Sequence, residues 1–244
     1  DSKYMGNKFL TISLLNHYKD EISIPQLILP EQLVSIDKVI SGFIMPFIPN
    51  NTNLSLILYD KNVEISEKIK HLRSCEQIIQ AVHHVKAIEG FLLGDIHESN
   101  FIYNHDDNKI YAVDLDGCKI GNNQIHSMKY GSFNEKLYGF EKKYPLDYDD
   151  NPICNINTEW YCYSMMVLNT IGQGNVHRLL INDFYDYLQL LKDNGVGKEL
   201  VDYFCNLYSY KSNVSPAPLL SEIPDDISKL NVNEFAKQKK LTYM

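Results

Sequence analysis

Arginine is scarce in this sequence, which has Arg73 and Arg178 and no other arginine among its 244 residues. Arginine grips phosphate with two parallel hydrogen bonds, so a chain with two of them offers few such clamps. Acidic residues also outnumber basic ones, which gives a formal net charge of −8. Both features argue against a broad nucleic-acid-binding surface, and we expect no nucleic-acid partner.

Other patterns are missing as well. No apolar run approaches the ~20 residues that a membrane-spanning helix needs, and the first residues lack the pattern of a secretory signal peptide. The five cysteines, at positions 75, 118, 154, 162 and 205, contain no Cys-x-x-Cys pair that would indicate a zinc site or a redox centre. The sequence therefore predicts a soluble, cytoplasmic protein in a reducing compartment, with no membrane partner.

What the sequence does have is a polar motif divided between two short segments. Residues 93–100 read Leu-Gly-Asp-Ile-His-Glu-Ser-Asn, and residues 112–117 read Ala-Val-Asp-Leu-Asp-Gly. The intervening stretch predicts a β-hairpin, because two apolar runs flank a turn rich in Asn and Asp. Such a hairpin would bring Asp95, Asn100 and Asp114 to one end of a strand pair.

These three side chains predict a phosphoryl-transfer site. A transferred phosphoryl group is highly charged, so an enzyme mainly positions the accepting hydroxyl and neutralises the phosphate oxygens with Mg²⁺. Magnesium takes one or two protein ligands and completes its shell with phosphates and water. Asn100 and Asp114 can supply those ligands while Asp95 faces the hydroxyl. Asp116 has a similar spacing and stays an alternative to Asp114, which we prefer because it directly follows an apolar strand.

The motif resembles that of the protein-kinase-like superfamily, whose loops read His-Arg-Asp-x-x-x-x-Asn and Asp-Phe-Gly. Residues 94–100 correspond to the first of these loops, and residues 114–116 correspond to the second. The first loop is also similar to that of aminoglycoside and choline kinases, which commonly reads His-Gly-Asp-x-His-x-x-Asn. The resemblance implies that Asp95 is catalytic and that His97 contacts phosphate or orients Asp95. Gly94 stands where an arginine would pair with a phosphorylated activation loop.

A second segment, residues 41–51, resembles the fifth strand and hinge of kinases. It is an apolar strand that runs into a bend rich in proline and asparagine. Hinge backbone groups bind adenine in that family, so the resemblance implies a nucleotide site at Met45, Phe47 and Ile48, with Met45 behind the purine. Pro46 can offer its carbonyl although it lacks an N–H. Without the catalytic loop, the same pattern would indicate a buried strand ending in a turn.

Residues 157–171 predict an apolar helix that begins at polar capping residues. It resembles the central helix of the kinase C-lobe, where an Asp-x-Trp pattern begins the helix and its carboxylate holds the backbone of the catalytic loop. Here Glu159 stands beside Trp160. Residues 138–141 resemble the Pro-Glu motif that ends an activation segment, and the resemblance implies that its glutamate pairs with Arg178.

The order of the predicted elements indicates an α+β fold. A helix over 5–18 precedes strands at 26–29 and 39–47, and a long helix over 64–89 leads to the hairpin. We assign His83 and His84 to the surface or to packing, and the Tyr-rich segment 203–210 to the core or to a groove wall.

This order predicts a protein-kinase-like bilobal fold with a truncated N-lobe and a mainly helical C-lobe. Residues 1–49 would form the partial N-lobe and hinge, and residues 50–244 the C-lobe. A Gly-rich strand pair and a lysine in an apolar strand are missing from the sequence, and Lys3 and Lys8 are its early lysines. We therefore expect that an N-terminal segment or a partner chain completes the N-lobe, or that phosphates are held without these parts.

The sequence thus predicts an ATP- and Mg²⁺-dependent phosphotransferase. The preferred interpretation is a bacterial-type Ser/Thr protein kinase-like enzyme that transfers the γ-phosphate to a hydroxyl of a protein substrate. Two alternatives stay open. A small-molecule kinase of the aminoglycoside-phosphotransferase type fits the catalytic loop, and a pseudokinase, or a nucleotide-binding or protein-interaction module, fits the missing lysine and Gly-rich loop.

Overall fold

The computed structural model describes residues 2–37, 39–121, 154–209 and 218–239. The helices are α1 (Ser2–His17), α2 (Leu54–Tyr59), α3 (Ile65–His83), α4 (Ile156–Ile171), α5 (Ile181–Asp193), α6 (Lys198–Ser209) and α7 (Val232–Gln238). The strands are β1 (Gln32–Ile36), β2 (Val39–Ile44), β3 (Asn51–Asn53), β4 (Phe101–Asn104) and β5 (Lys109–Ala112). The described helices are each too short or too polar to span a bilayer.

The N-terminal part consists of α1 and the antiparallel hairpin β1–β2. The expected first helix and the second expected strand are present with shifted ends. The expected strand at 26–29 is reduced to an isolated bridge between Leu27 and Ala112, and β1 was not expected. Local sequence gives little signal for β1, because it carries polar Gln32 and Ser35 and is mostly exposed. Pairing with β2 decides its conformation.

A three-stranded antiparallel sheet, ordered β3-β4-β5, contains the predicted hairpin. Phe101 lies opposite Ala112 and Asn104 opposite Lys109, so the predicted hairpin is confirmed. The strand β3 directly follows the hinge segment and pairs with β4, with Asn53 opposite Ile102. This pairing fixes the hinge against the hairpin.

Helix α4 runs through the core, and its residues from Thr158 to Ile171 are buried. Its N-terminus is closed by a reciprocal capping box in which the Asn155 side chain accepts the Thr158 N–H and Thr158 Oγ1 accepts the Asn155 N–H. Tyr163 ties the helix to α3 by donating its hydroxyl to the Leu72 carbonyl at 2.9 Å. The helix predicted from residues 157–171 is therefore confirmed.

Helix α3 ends at His83, so the prediction of one helix over 64–89 was too long. The apolar periodicity continues to Ile88, which is buried without being helical. The chain leaves the helix because the following segment pairs elsewhere. Leu92 exchanges two backbone hydrogen bonds of 3.0 Å with Lys119, which brings the start of the catalytic loop beside the segment that follows the metal motif.

The C-terminal helices pack around α4. Tyr203 is partly buried and shares a 2.7 Å hydrogen bond with Ser164, and Phe204 is fully buried, so this part of the Tyr-rich segment lies in the core as expected. The side chain of Tyr208 and the whole of Tyr210 lie outside the described residues. The expected activation-segment motif at 138–141, with its pair to Arg178, lies outside them too.

Candidate active site

The predicted catalytic loop, residues 93–100, is held together by hydrogen bonds of Asn100. Its side-chain Nδ2 donates to the Asp95 carbonyl at 2.9 Å, and its backbone N–H donates to the His97 carbonyl at 3.0 Å. The Asn100 carbonyl in turn accepts the Val113 N–H at 2.9 Å. Because Asp114 follows Val113, this bond places the second motif beside the first.

The ring of His97 faces Asp95. The Ser99 N–H donates to His97 Nδ1 at 3.2 Å, so this nitrogen offers a lone pair. A neutral imidazole then carries its proton on Nε2, and Nε2 lies 3.5 Å from Asp95 Oδ2. Of the two roles expected for His97, the geometry favours orientation of Asp95 over contact with phosphate.

Glu159 links α4 to the catalytic loop, as the resemblance implied. Its side chain is fully buried, and Oε1 accepts the Gly94 N–H at 2.8 Å. Its second oxygen, Oε2, lies 2.5 Å from His83 Nε2. The ring of His83 also packs edge-on against Trp160, so its assignment to packing holds. Its hydrogen bond to Glu159 was not foreseen, because the two residues are 76 positions apart.

Gly94 and Gly117 bring the two motifs into backbone contact. Gly94 has a φ of 81°, in the left-handed region that favours glycine. A Cβ at this position would overlap the carbonyl oxygen of Gly117. Glycine at 94 is therefore required by the packing of the catalytic loop on the metal motif.

We expect Gly94→Ala to lower the free energy of unfolding by on the order of 1–3 kcal/mol, from the positive φ together with the overlap. Chemical denaturation measures this. Gly42→Ala is the matched control, because Gly42 has open space around it and lies in β2. Equal stability of Gly94→Ala and the wild type would contradict the described packing.

An apolar cavity of about 410 Å³ lies between the hinge segment and the hairpin. This volume suits a small-molecule site. Met45, Phe47 and Ile48, expected from the sequence, all line it together with Asp114; Asn100 is not part of the lining. The remaining lining residues are Ile12, Ile28, Pro30, Phe43, Pro46, Asn51, Ile102, Val113 and Leu115. Ile12 comes from α1 and had no sequence signal beyond its place in a helix.

The two candidate metal aspartates differ in their surroundings. Asp114 lines the cavity and adopts φ 56° and ψ 48°, a sparsely populated conformation that often marks functional sites. Asp116 instead forms an ion pair with Lys8, with Lys8 Nζ 2.5 Å from Asp116 Oδ2. Burial, and then the neighbouring Asp116, raise the pKa of Asp114, while Lys8 and His97 lower it. The geometry therefore favours Asp114 over Asp116 as a metal ligand.

Asp114 and Asn100 offer oxygen donors of the kind that magnesium prefers. No cluster of three or more His, Cys, Asp or Glu side chains in the described ranges could hold an ion. Asp114 offers a carboxylate, and Asn100, whose Nδ2 is engaged with Asp95, still offers its Oδ1. Magnesium commonly takes so few protein ligands because it retains water and substrate phosphates.

Solved structures of kinases have the same fold. The kinase domain of Mycobacterium tuberculosis PknI aligns with a TM-score of 0.53 at 10% identity, over 97% of this chain and 80% of that one. The kinase PK-1 of Cydia pomonella granulovirus aligns with a TM-score of 0.55 at 14% identity, over 88% of this chain and 80% of that one. No family model and no curated protein matches the sequence.

These similarities identify the fold. The chain has a protein-kinase-like fold of the α+β class, with a small N-lobe and a mainly helical C-lobe, as the sequence predicted. At 10–14% identity the likeness establishes the fold and leaves the reaction to be argued from the site.

Proposed function

We propose that this chain is an ATP- and Mg²⁺-dependent phosphotransferase that transfers the γ-phosphate of ATP to a hydroxyl group. One observation supports this most directly. The backbone hydrogen bond from Val113 to Asn100 joins the Asp95 loop to Asp114, and Asp114 lines the same apolar cavity as the hinge. A nucleotide base in that cavity would place its phosphates towards the three polar residues.

The hinge would bind the adenine through its backbone. Asn51 Nδ2 already donates to the Ile48 carbonyl at 2.6 Å, so the Ile48 N–H is the group of that residue left to meet the base. Met45 and Ile48 line the cavity from the hinge side, and Ile102 and Val113 from the hairpin side. Apolar side chains on both sides suit a flat aromatic ring.

Asp95 would accept the proton of the attacking hydroxyl. His97 Nε2 faces its carboxylate, and Asn100 holds its backbone, so the carboxylate is oriented before substrate arrives. Such positioning supplies much of the rate gain in phosphoryl transfer. Magnesium bound by Asn100 and Asp114 would neutralise charge on the phosphate oxygens.

We propose a Ser or Thr hydroxyl of a protein as the acceptor. The contact between Glu159 and Gly94 supports this choice, because the feature that it resembles belongs to protein kinases. Phosphorylation assays with a Ser/Thr peptide library, an aminoglycoside and choline separate this acceptor from the small-molecule class. Transfer to the small molecules alone would replace the protein acceptor in this proposal.

The second candidate is a nucleotide-binding module without catalysis. It is favoured by the small N-lobe, in which a two-stranded sheet is described. A thermal-shift titration tests both candidates, because a ligand that binds the native state raises its stability. We expect ATP with Mg²⁺ to raise the melting temperature and a peptide assay to show turnover. Binding without turnover would support the second candidate, and no shift would contradict both.

We expect Asp114→Asn to weaken Mg²⁺-dependent ATP binding by about 10-fold or more, and Asp116→Asn not to weaken it, because a charged metal ligand is lost only in the first. Titration calorimetry at several Mg²⁺ concentrations measures both affinities. The opposite order would assign the metal to Asp116.

Asp114→Asn should also make the ligand-free protein more stable. Since the folded-state pKa of Asp114 is raised, the stability linked to its protonated form is present below its unfolded pKa of 3.8 and is lost as pH rises through the folded value. The ionised carboxylate thus costs stability at neutral pH. Asp114→Asn should remove that cost at pH 7 and have little effect near pH 3, which denaturation at the two pH values measures.

A further inference from the structure

Helix α1 brings a lysine to the edge of the candidate site. Lys8 Nζ lies 2.5 Å from Asp116 Oδ2, and the two side chains keep 27% and 21% of their surface exposed. Ile12, one helical turn along, lines the 410 Å³ cavity. Because residues four apart share one face of a helix, Lys8 stands beside the cavity on the side where Asp114 and Asp116 lie.

We propose that Lys8 binds the phosphate groups of the nucleotide and that Asp116 positions Lys8 when no nucleotide is present. This inference rests on the proposed function and names the residue that would hold the phosphates. It also gives Asp116 a role distinct from metal binding. Helix α1 would then belong to the nucleotide site through two residues, Ile12 for the base pocket and Lys8 for the phosphates.

Charge at the site supports the proposal. Asp114 and Asp116 are separated by one residue, and their two negative charges would repel a phosphate chain unless cations such as Lys8 and Mg²⁺ offset them. Lys8 Nζ pairs with Asp116, which stands two positions from Asp114 in the chain. A phosphate placed near Asp114 would therefore lie within the field of the same ammonium group.

Exchange of partners costs little for this lysine. Both side chains of the ion pair keep contact with water, which screens their attraction, so the pair with Asp116 holds Lys8 in place without trapping it. The lysine side chain is a compact charge on a flexible four-carbon stem. It can move from a single carboxylate to a phosphate, which carries more negative charge and more acceptor oxygens.

The test compares ligands with and without phosphates. Titration calorimetry with Mg²⁺ measures the binding of ATP, ADP and adenosine to the wild type, Lys8→Met and Lys8→Arg. We expect Lys8→Met to weaken ATP and ADP by about 10- to 100-fold, as for loss of a charge-assisted hydrogen bond, and to change adenosine by less than about twofold. Lys8→Arg keeps the charge and should recover part of the affinity. Lys19→Met, an exposed lysine just after α1, is the matched control and should match the wild type.

Adenosine also shows whether each variant still has a folded base pocket. If Lys8→Met weakens ATP and adenosine equally, or leaves ATP unchanged, Lys8 does not bind phosphate and the inference is overturned, while nucleotide binding stands. If the wild type binds neither ATP nor adenosine, the proposed function fails and this inference fails with it.

Asp116→Asn provides an independent test. Because it removes the ion pair between Lys8 and Asp116, ATP affinity should stay equal to that of the wild type or rise. A loss of 10-fold or more that higher Mg²⁺ reverses would make Asp116 a metal ligand and overturn its positioning role.

Discussion

We expect Asp95→Asn to abolish phosphoryl transfer and to leave ATP binding close to that of the wild type. The amide has nearly the same shape as the carboxylate and still offers an oxygen to His97 Nε2, which lies 3.5 Å from Asp95 Oδ2, but it cannot take up the hydroxyl proton. General-base catalysis typically contributes about 10²- to 10⁴-fold to a rate. The expected result is therefore a fall in kcat of at least that size. Radiolabelled phosphate transfer measures kcat, and calorimetry measures the binding of ATP.

Two further variants serve as comparisons for this result. Glu199→Gln removes an exposed carboxylate in the first turn of α6, away from the site, and should leave kcat unchanged. His97→Ala removes the group that orients Asp95 and should lower kcat by a smaller factor than Asp95→Asn does. If Asp95→Asn lost ATP binding as severely as turnover, Asp95 would belong to the nucleotide or metal site instead.

Glu159→Ala has the largest expected effect on stability. It removes a side chain that is 0% exposed and leaves the Gly94 N–H and the His83 ring without their carboxylate. A buried donor that loses its partner costs about 1–3 kcal/mol, and this substitution affects two groups and opens a cavity. We expect the free energy of unfolding to fall by about 3 kcal/mol or more, and kcat to fall because the catalytic loop loses its attachment to α4. Urea denaturation measures the first effect.

Glu159→Gln and His83→Ala separate the two contacts of this carboxylate. The glutamine keeps an oxygen for the Gly94 N–H, so the loop should stay in place and most of kcat should be retained. His83→Ala leaves the contact to Gly94 intact and should mainly cost stability. If Glu159→Ala were as stable and as active as the wild type, the contact between α4 and the loop would have no role in holding the site.

Much of the fold could be predicted because its signals are local. The hairpin of β4 and β5 follows from two apolar runs around a turn in which Asn108 takes a positive φ of 58°, a conformation that asparagine tolerates. Helix α4 follows from a capping residue before a long apolar run. The predicted end of α3 was wrong, because the segment after it pairs elsewhere, with Leu92 bonded to Lys119. Strand β1 was missed, because its pairing with β2 decides its conformation.

Some features of the candidate site could likewise be predicted from the sequence, and others depended on packing. The spacing within residues 94–100 is enough to predict that Asn100 and Asp95 lie together, since a short loop leaves few ways to arrange them. Met45 and Ile48 were expected at the site from the resemblance of their segment to the kinase hinge, and they line a cavity with Asp114. The sequence favoured Asp114 over Asp116 because Asp114 directly follows the strand, and the structure adds a second distinction, the ion pair of Asp116 with Lys8.

The sequence by itself determined the helices and hairpin whose hydrogen bonds and apolar periodicity lie within a few turns of one another, and it determined the order of the acidic and amide residues in each loop. Tertiary structure alone decided the contact of Lys8 with Asp116, 108 positions apart, and it established the contact of Gly94 with Glu159, 65 positions apart, which the resemblance had implied. Local preference cannot encode such pairs, because each partner's surroundings are set only when the elements pack into one core. That packing gives each of the two loops the neighbour it needs to form a site.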